Sequence, residues 1–184
     1  MLARDIVKSV VQALNDHDIP YMLVGSFSTN FYGTERSTKD ADLVLQLGDK
    51  NVNQIFKALG GDFHCDPQSS FETKTFTTRY VIAHVASAFK VELFLLSSDA
   101  HDTERFSRRR QVDYLGANIW IPTAEDTVIT KLRWARPKDE LDVAAVLAVQ
   151  RGHVDLQYIR KWCDEHGSRA RLDAILSQVE TSLA

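Results

Sequence analysis

The sequence predicts an α/β (α+β) fold: a mixed sheet with helices packed on it, followed by a C-terminal helical bundle. Three observations carry that expectation. Between residues 1 and 122, apolar runs of strand length alternate with apolar stripes at helical spacing. After Pro122 the strand-like runs disappear and helical periodicity takes over. The chain has 184 residues. That length suits one domain, or a domain with a helical appendage, burying roughly 70% of its unfolded surface without a disulfide or metal staple. The expected division is therefore an α/β core over 1–122 and a helical region over 123–184.

The elements follow in order. Ile6, Val7, Val10, Val11 and Leu14 share one stripe, so residues 2–16 read as a helix, stopped by Asp16-His17-Asp18 and Pro20. Tyr21-Met22-Leu23-Val24 is a short apolar run ending at Gly25, as in a strand buried on both faces. Ser26 stands where an N-cap would, before a short helix from Phe27 to Tyr32 that Gly33 closes. Ala41 to Leu47 reads as a second strand, and Asn51 to Leu59 as a helix ended by Gly60-Gly61. Phe71–Phe76, Arg79–Val85 and Lys90–Leu96 read as extended runs, with Ala86-Ser87-Ala88 as a hairpin connection between the last two. Gly116–Ile121 is one more short strand. Thr123 then looks like an N-cap, with Asp126 three residues on as an acidic variant of the capping box. Helices follow to Pro137, to about Gly152, and around 155–166 and 169–182.

Composition narrows the function classes. Twenty-two Lys and Arg against 25 Asp and Glu give a formal charge of −3. That balance excludes a polybasic binder driven by bulk charge, though not a local basic patch beside an acidic site. Cys65 and Cys163 make no CxxC pair, which favours a reducing, cytoplasmic setting. No signal peptide is visible, and the longest apolar stretches fall far short of the roughly 20 residues that span a bilayer, so no membrane partner is expected.

The informative segment runs from Gly25-Ser26 to Asp40-Ala41-Asp42. Asp40 and Asp42 are two apart at the start of a strand, so both side chains share a face. Adjacent carboxylates beside an apolar strand are costly without a cation. A hard divalent ion such as Mg²⁺ relieves that cost. Glu92 is the only acid in the run Lys90–Leu96. If that strand lies beside 41–47, Glu92 completes a three-carboxylate cluster of the kind that holds one or two Mg²⁺ for phosphoryl or nucleotidyl transfer. A strand ending in Gly25 and opening a helix supplies a phosphate cradle, with a hydroxyl from Ser26.

Val24-Gly25-Ser26, Arg36-x-Thr38-x-Asp40-x-Asp42 and the later Glu92 together resemble the nucleotidyltransferase superfamily of the DNA polymerase beta type, in its minimal bacterial form. Glu125 to Leu132, followed by Arg136-Pro137-Lys138-Asp139-Glu140-Leu141-Asp142, resembles the downstream lysine and Lys-Asp-x-x-Asp region of the AbiEii-type toxin branch. The resemblance implies that Gly25, Ser26, Arg36, Thr38 and Lys131 hold a nucleoside triphosphate, and that Asp40, Asp42 and Glu92 are the catalytic acids and ligands for Mg²⁺, with two ions. It implies transfer of a nucleoside monophosphate to a hydroxyl of RNA, protein or a small molecule, in a toxin–antitoxin setting with an antitoxin partner. The alternative is a non-catalytic nucleotide- or partner-binding protein of the same fold.

Plainer readings stand beside these. Lys131 can be a helix-surface lysine, and Arg36 and Thr38 can simply fix the loop before the strand. Asp139 and Asp142 read as surface acids or helix-start charges. Arg105-Phe106-Ser107-Arg108-Arg109-Arg110 reads as a solvated face, with a patch for acceptor RNA or phosphate as the functional version.

Overall fold

The computed structural model describes residues 2–66, 68–73 and 76–182. Helix α1 (Ala3–Asp16) buries the expected stripe, Ile6, Val7, Val10, Val11 and Leu14. Strand β1 (Tyr21–Val24) is buried at all four positions. Helix α2 (Ser26–Tyr32) begins at Ser26 itself, and Gly25 occupies the N-cap position expected for Ser26. Strand β2 (Asp40–Leu45) and helix α3 (Val52–Leu59) follow, the latter capped by the Asn51 side chain accepting from the Asn53 amide. Next come β3 (Phe63–Cys65), β4 (Ser70–Glu72), β5 (Thr77–His84) and β6 (Lys90–Leu95). Of the extended run Phe71–Phe76, residues 74 and 75 lie outside the described residues.

Helix α4 (Ala100–Ser107) and strand β7 (Arg110–Tyr114) precede β8 (Ala117–Ile121). The sequence does not announce α4 or β7, because both are polar. Helix α4 buries His101, Asp102 and Arg105 alongside Phe106, so charge pairing replaces the apolar stripe. The chain then runs through α5 (Ala124–Trp134), α6 (Pro137–Val149), α7 (Leu156–Glu165) and α8 (Arg169–Ser182). Thr123 caps α5 as expected, its Oγ1 accepting from the Asp126 amide. No helix among the described residues is long and apolar enough to cross a membrane.

The main sheet has the order β1-β2-β6-β5-β3, with β4 pairing the opening residues of β5. It is mixed: β2 and β6 run parallel, and the other pairs are antiparallel. Strands β7 and β8 form a separate hairpin. Period-two alternation gives the sheet two faces. Tyr21, Leu23, Leu43, Leu45, Val91, Leu93 and Ile82 belong to the main core, which also takes in α1 residues and Val128, Ile129, Val143, Val146, Ile159 and Leu172 of the later helices. On the other face Met22, Val24, Val44 and Phe106 make a smaller cluster with Phe94. Beyond this second cluster the same face carries charge, and there the cleft opens.

Candidate active site

Strand β6 lies beside β2, and the parallel register sets Glu92 against Asp42. Asp40, Asp42 and Glu92 all line one cavity of about 360 Å³, together with Gly25, Ser26 and Lys131. Residues opposite one another on paired strands project to the same side, so the shared cavity follows from register. Burial pushes the Asp42 carboxyl up to about 7, and the charges of Asp40 and Glu92 push the same way. Lys131 and Arg136 pull against that rise without cancelling it.

The other acids have partners. Thr38 Oγ1 donates to the carbonyl oxygen and to Oδ1 of Asp40, each at 3.0 Å. Arg79, on β5, donates Nη1 to the two Glu92 oxygens at 3.3 and 3.4 Å. Among the described residues, no three His, Cys, Asp or Glu side chains are already gathered as a metal-binding group. The sheet thus presents Asp40 and Asp42 side by side and Glu92 turned to an arginine.

Gly25 is dictated by this arrangement. Its φ is +66°, a left-handed value that a Cβ disfavours. A Cβ there would also run into Oδ2 of Asp42. The backbone at the end of β1 can therefore sit against the carboxylate only as glycine. Gly33 has a different reason. Its added Cβ would lie 3.1 Å from the Val146 backbone nitrogen, so a side chain would press on the close packing of α2 against α6.

The helical wall is organised by five charged residues. Lys131 Nζ is buried and donates to Asp139 Oδ1 at 3.0 Å and to Asp142 Oδ2 at 2.8 Å. Arg36 donates Nε and Nη2 to the two Asp142 oxygens at 2.7 and 2.8 Å, and Nη2 also reaches Ser26 Oγ at 3.2 Å. Arg136 donates Nε to Asp139 Oδ2 at 2.8 Å. Asp139 and Asp142 are 0% and 6% exposed, so the expectation of surface acids is overturned. Burial alone would raise both carboxyls. Hydrogen bonds from Arg136 and Lys131 at Asp139, and from Arg36 and Lys131 at Asp142, overcome it and hold both below the usual range. Asp142 itself holds the Arg36 guanidinium above its ordinary value. Arg36, Ser26 and Lys131 are thus one connected group.

The Arg105–Arg110 run is not a continuous solvated face. Arg105 is buried, with Nε 2.9 Å from Asp102. Arg108 lies over the Tyr158 ring at 4.0 Å and donates to Asp126. Arg109 stacks on Phe106 and Trp120. Only Arg110 of the four arginines is exposed. Arg79 lines the cleft without standing out in the sequence, whereas Lys138 enters there only as the lysine of the Lys-Asp-x-x-Asp resemblance. The faint signal for Arg79 is a charge on the face of a strand that pairs with the strand of Glu92.

Residues 4–175 match the family described as "Nucleotidyltransferase of unknown function (DUF6036)". The chain belongs to this family. It is a nucleotidyltransferase, and solved structures share its fold. A nucleotidyltransferase-like antigenic protein from Paracoccidioides brasiliensis superposes with a TM-score of 0.57 at 16% identity, over 95% of this chain and 92% of that one. ANT(2'')-Ia, solved in complex with adenylyl-2''-tobramycin, gives 0.53 at 10% identity over 98% of each chain. The lincosamide antibiotic adenylyltransferase LnuA, solved with lincomycin bound, gives 0.53 at 10% identity over 78% of this chain and 95% of that one. No curated protein matches the sequence. At these identities the structural neighbours establish the fold of this nucleotidyltransferase, and its acceptor has to be argued from its own residues.

Proposed function

We propose that this nucleotidyltransferase moves a nucleoside monophosphate from a nucleoside triphosphate to a hydroxyl acceptor in a Mg²⁺-dependent reaction. The observation that carries the reading is the placement of Asp40, Asp42 and Glu92 in one cavity, where burial and the two neighbouring acids push the Asp42 carboxyl up to about 7. Every donor at that point is a hard carboxylate oxygen, the chemistry Mg²⁺ takes. Asp40 and Asp42 would hold the metal, with Glu92 turning from Arg79 to complete a site for two ions. When bound, Mg²⁺ neutralises the triphosphate and lowers the pKa of the attacking hydroxyl.

The remaining work falls to the chain. Gly25 lets the Asp42 carboxylate sit against the backbone at the end of β1, where the triphosphate would lie, and Ser26 and Arg36 offer donors next to it. Lys131 lends positive charge to the same wall, fixed in place by Asp139 and Asp142. Thr38 orients Asp40. The acceptor oxygen bonds to the α-phosphorus as the bond to the bridging oxygen breaks. Pyrophosphate leaves, and the hydroxyl proton passes to the Glu92 carboxylate. A neighbour solved with adenylyl-2''-tobramycin supports nucleotide transfer to a hydroxyl-bearing acceptor within this fold. A toxin–antitoxin role is supported by the resemblance of the Lys131–Asp142 segment alone.

Asp42→Ala and the wild type, incubated with labelled NTPs, Mg²⁺ and a cell extract, decide the matter. Label transfer by the wild type and none by the variant is the expected result. Equal labelling by both would sink the assignment.

A further inference from the structure

In-line displacement places the attacking oxygen opposite the departing pyrophosphate. With the triphosphate against Gly25 and Ser26, which follow β1, the acceptor comes from the other end of the strand order, past Glu92 on β6 and toward β5 and β4. That end of the cleft has a distinct character. Arg79 on β5 is about a third exposed, with side-chain accessibility of 36%. Its Nε is anchored on Ser70 Oγ of β4 at 3.0 Å. Its contacts to Glu92, at 3.3 and 3.4 Å, are long beside the roughly 2.7–2.9 Å of a tight charged pair. An incoming anion can replace them. Phe71 of β4 lines the same cleft with 64% of its surface exposed, and Phe76, 75% exposed, meets it edge-on at 6.2 Å between ring centres. Two adjacent phenylalanines left in solvent at a cleft mouth serve no core and mark a binding surface.

We propose that this end of the cleft is the acceptor subsite, and that it takes the single-stranded 3′ end of a polynucleotide. A base stacks on Phe71 and a strand phosphate pairs with Arg79. The proposal rests on the reading of Asp40, Asp42 and Glu92 as the transfer site. Ring faces beside an arginine are what a single strand uses, since every base has a π-face and every linkage a charge. A polycationic acceptor, such as an aminoglycoside, would meet Arg79 as a like charge. An uncharged acceptor would gain nothing from it. The pairing also links binding to chemistry. A phosphate on Arg79 frees the Glu92 carboxylate, which takes the proton of the terminal hydroxyl. The strand oxygen then bonds to the α-phosphorus, and pyrophosphate departs with its bridging oxygen.

The test uses the full chain with Mg²⁺ and α-labelled NTPs. Acceptors are a short single-stranded RNA, the matching DNA, each again with a blocked 3′ end, and an aminoglycoside. Label should join strands with a free 3′ hydroxyl, and neither blocked strands nor the aminoglycoside. Phe71→Ala should raise the acceptor KM about 5- to 100-fold with the NTP KM unchanged, and Phe71→Trp should restore it. Arg79→Gln should raise the acceptor KM and flatten its dependence on salt. Phe71 is largely exposed and Arg79 lies at the cleft surface outside the apolar clusters, so neither substitution removes core packing. Unchanged acceptor KM values in both variants would overturn the subsite, as would labelling of the aminoglycoside in place of strands. Asp42→Asn run in parallel separates the two readings. Asp42-dependent labelling of a different acceptor class removes the subsite and leaves the transfer reading standing. Labelling that does not depend on Asp42 removes both.

Discussion

Two groups of aspartates serve the cleft, one lining it from the sheet and one paired with the basic residues of its helical wall, and their charges are handled in opposite ways. On the sheet, Asp42 is crowded by Asp40 and Glu92, and its carboxyl is raised to about 7. On the helices, Asp139 and Asp142 are buried too, yet both are held below the usual range because each receives two cationic partners. The comparison separates two uses of a buried acid. Paired acids hold cations in place as structure. An acid whose charge no side chain satisfies is waiting for a ligand. Burial alone does not separate the two groups, whereas charge balance points to the sheet.

The sharpest way to break this comparison is activity. Asp42→Asn should lower kcat by about a thousandfold or more, measured by label transfer at saturating Mg²⁺. A residual rate within tenfold of wild type would mean that the sheet acids are not the reacting ones. On the helical side, Asp139→Asn should leave the buried Lys131 short of a partner and cost about 3 kcal/mol in urea denaturation. A loss under about 0.5 kcal/mol would place that pair among the dispensable surface contacts.

The next test has the opposite sign on the two sides. Asp42 binds its proton more tightly folded than unfolded. In metal-free buffer its carboxyl therefore weakens the fold progressively as pH rises from about 4 to about 7, with no further loss above that. Asp42→Asn should thus stabilise the protein at pH 8. Full conversion of the shift is about 4 kcal/mol, and access of water through the cleft reduces the expected gain to about 2 kcal/mol. Asp139 and Asp142 have depressed values, so their contribution is present above the ordinary carboxylate range and is lost as pH falls below it. Thermal melts of wild type and Asp42→Asn against pH, in EDTA, check both signs.

Gly25→Ala should cost about 1–2 kcal/mol from its left-handed backbone and reduce transfer as well, because the new methyl displaces Asp42. The smallest effect is expected far from the cleft. Asp173 pairs with Arg169 on the open surface of α8, and Asp173→Ala should leave the melting temperature unchanged.

Much of this molecule was legible before folding was considered. The stripe of α1, the run Tyr21–Val24, the Thr123 cap and the alternation that puts Asp40 and Asp42 on one face are properties of neighbouring residues, so periodicity and capping chemistry expose them. Helix α4 was hidden because its buried face is made of His101, Asp102 and Arg105, which read as surface until their partners are known. The burial of Asp139 and Asp142 is hidden for the same reason, although Asp139 does sit in the first turn of α6 as a helix-start charge.

The sequence by itself determined the alternation of strands and helices, the shared face of Asp40 and Asp42, and the acid in the run that became β6. Tertiary structure decided the rest. It set Glu92 against Asp42 by strand register, brought Arg36 to Asp142 across 106 residues of chain, and turned Glu92 toward Arg79. The physical reason is range. Backbone periodicity acts over a few residues and is written in local order. The charge state of a carboxylate depends on which cations and which water reach it, and only the folded chain determines that.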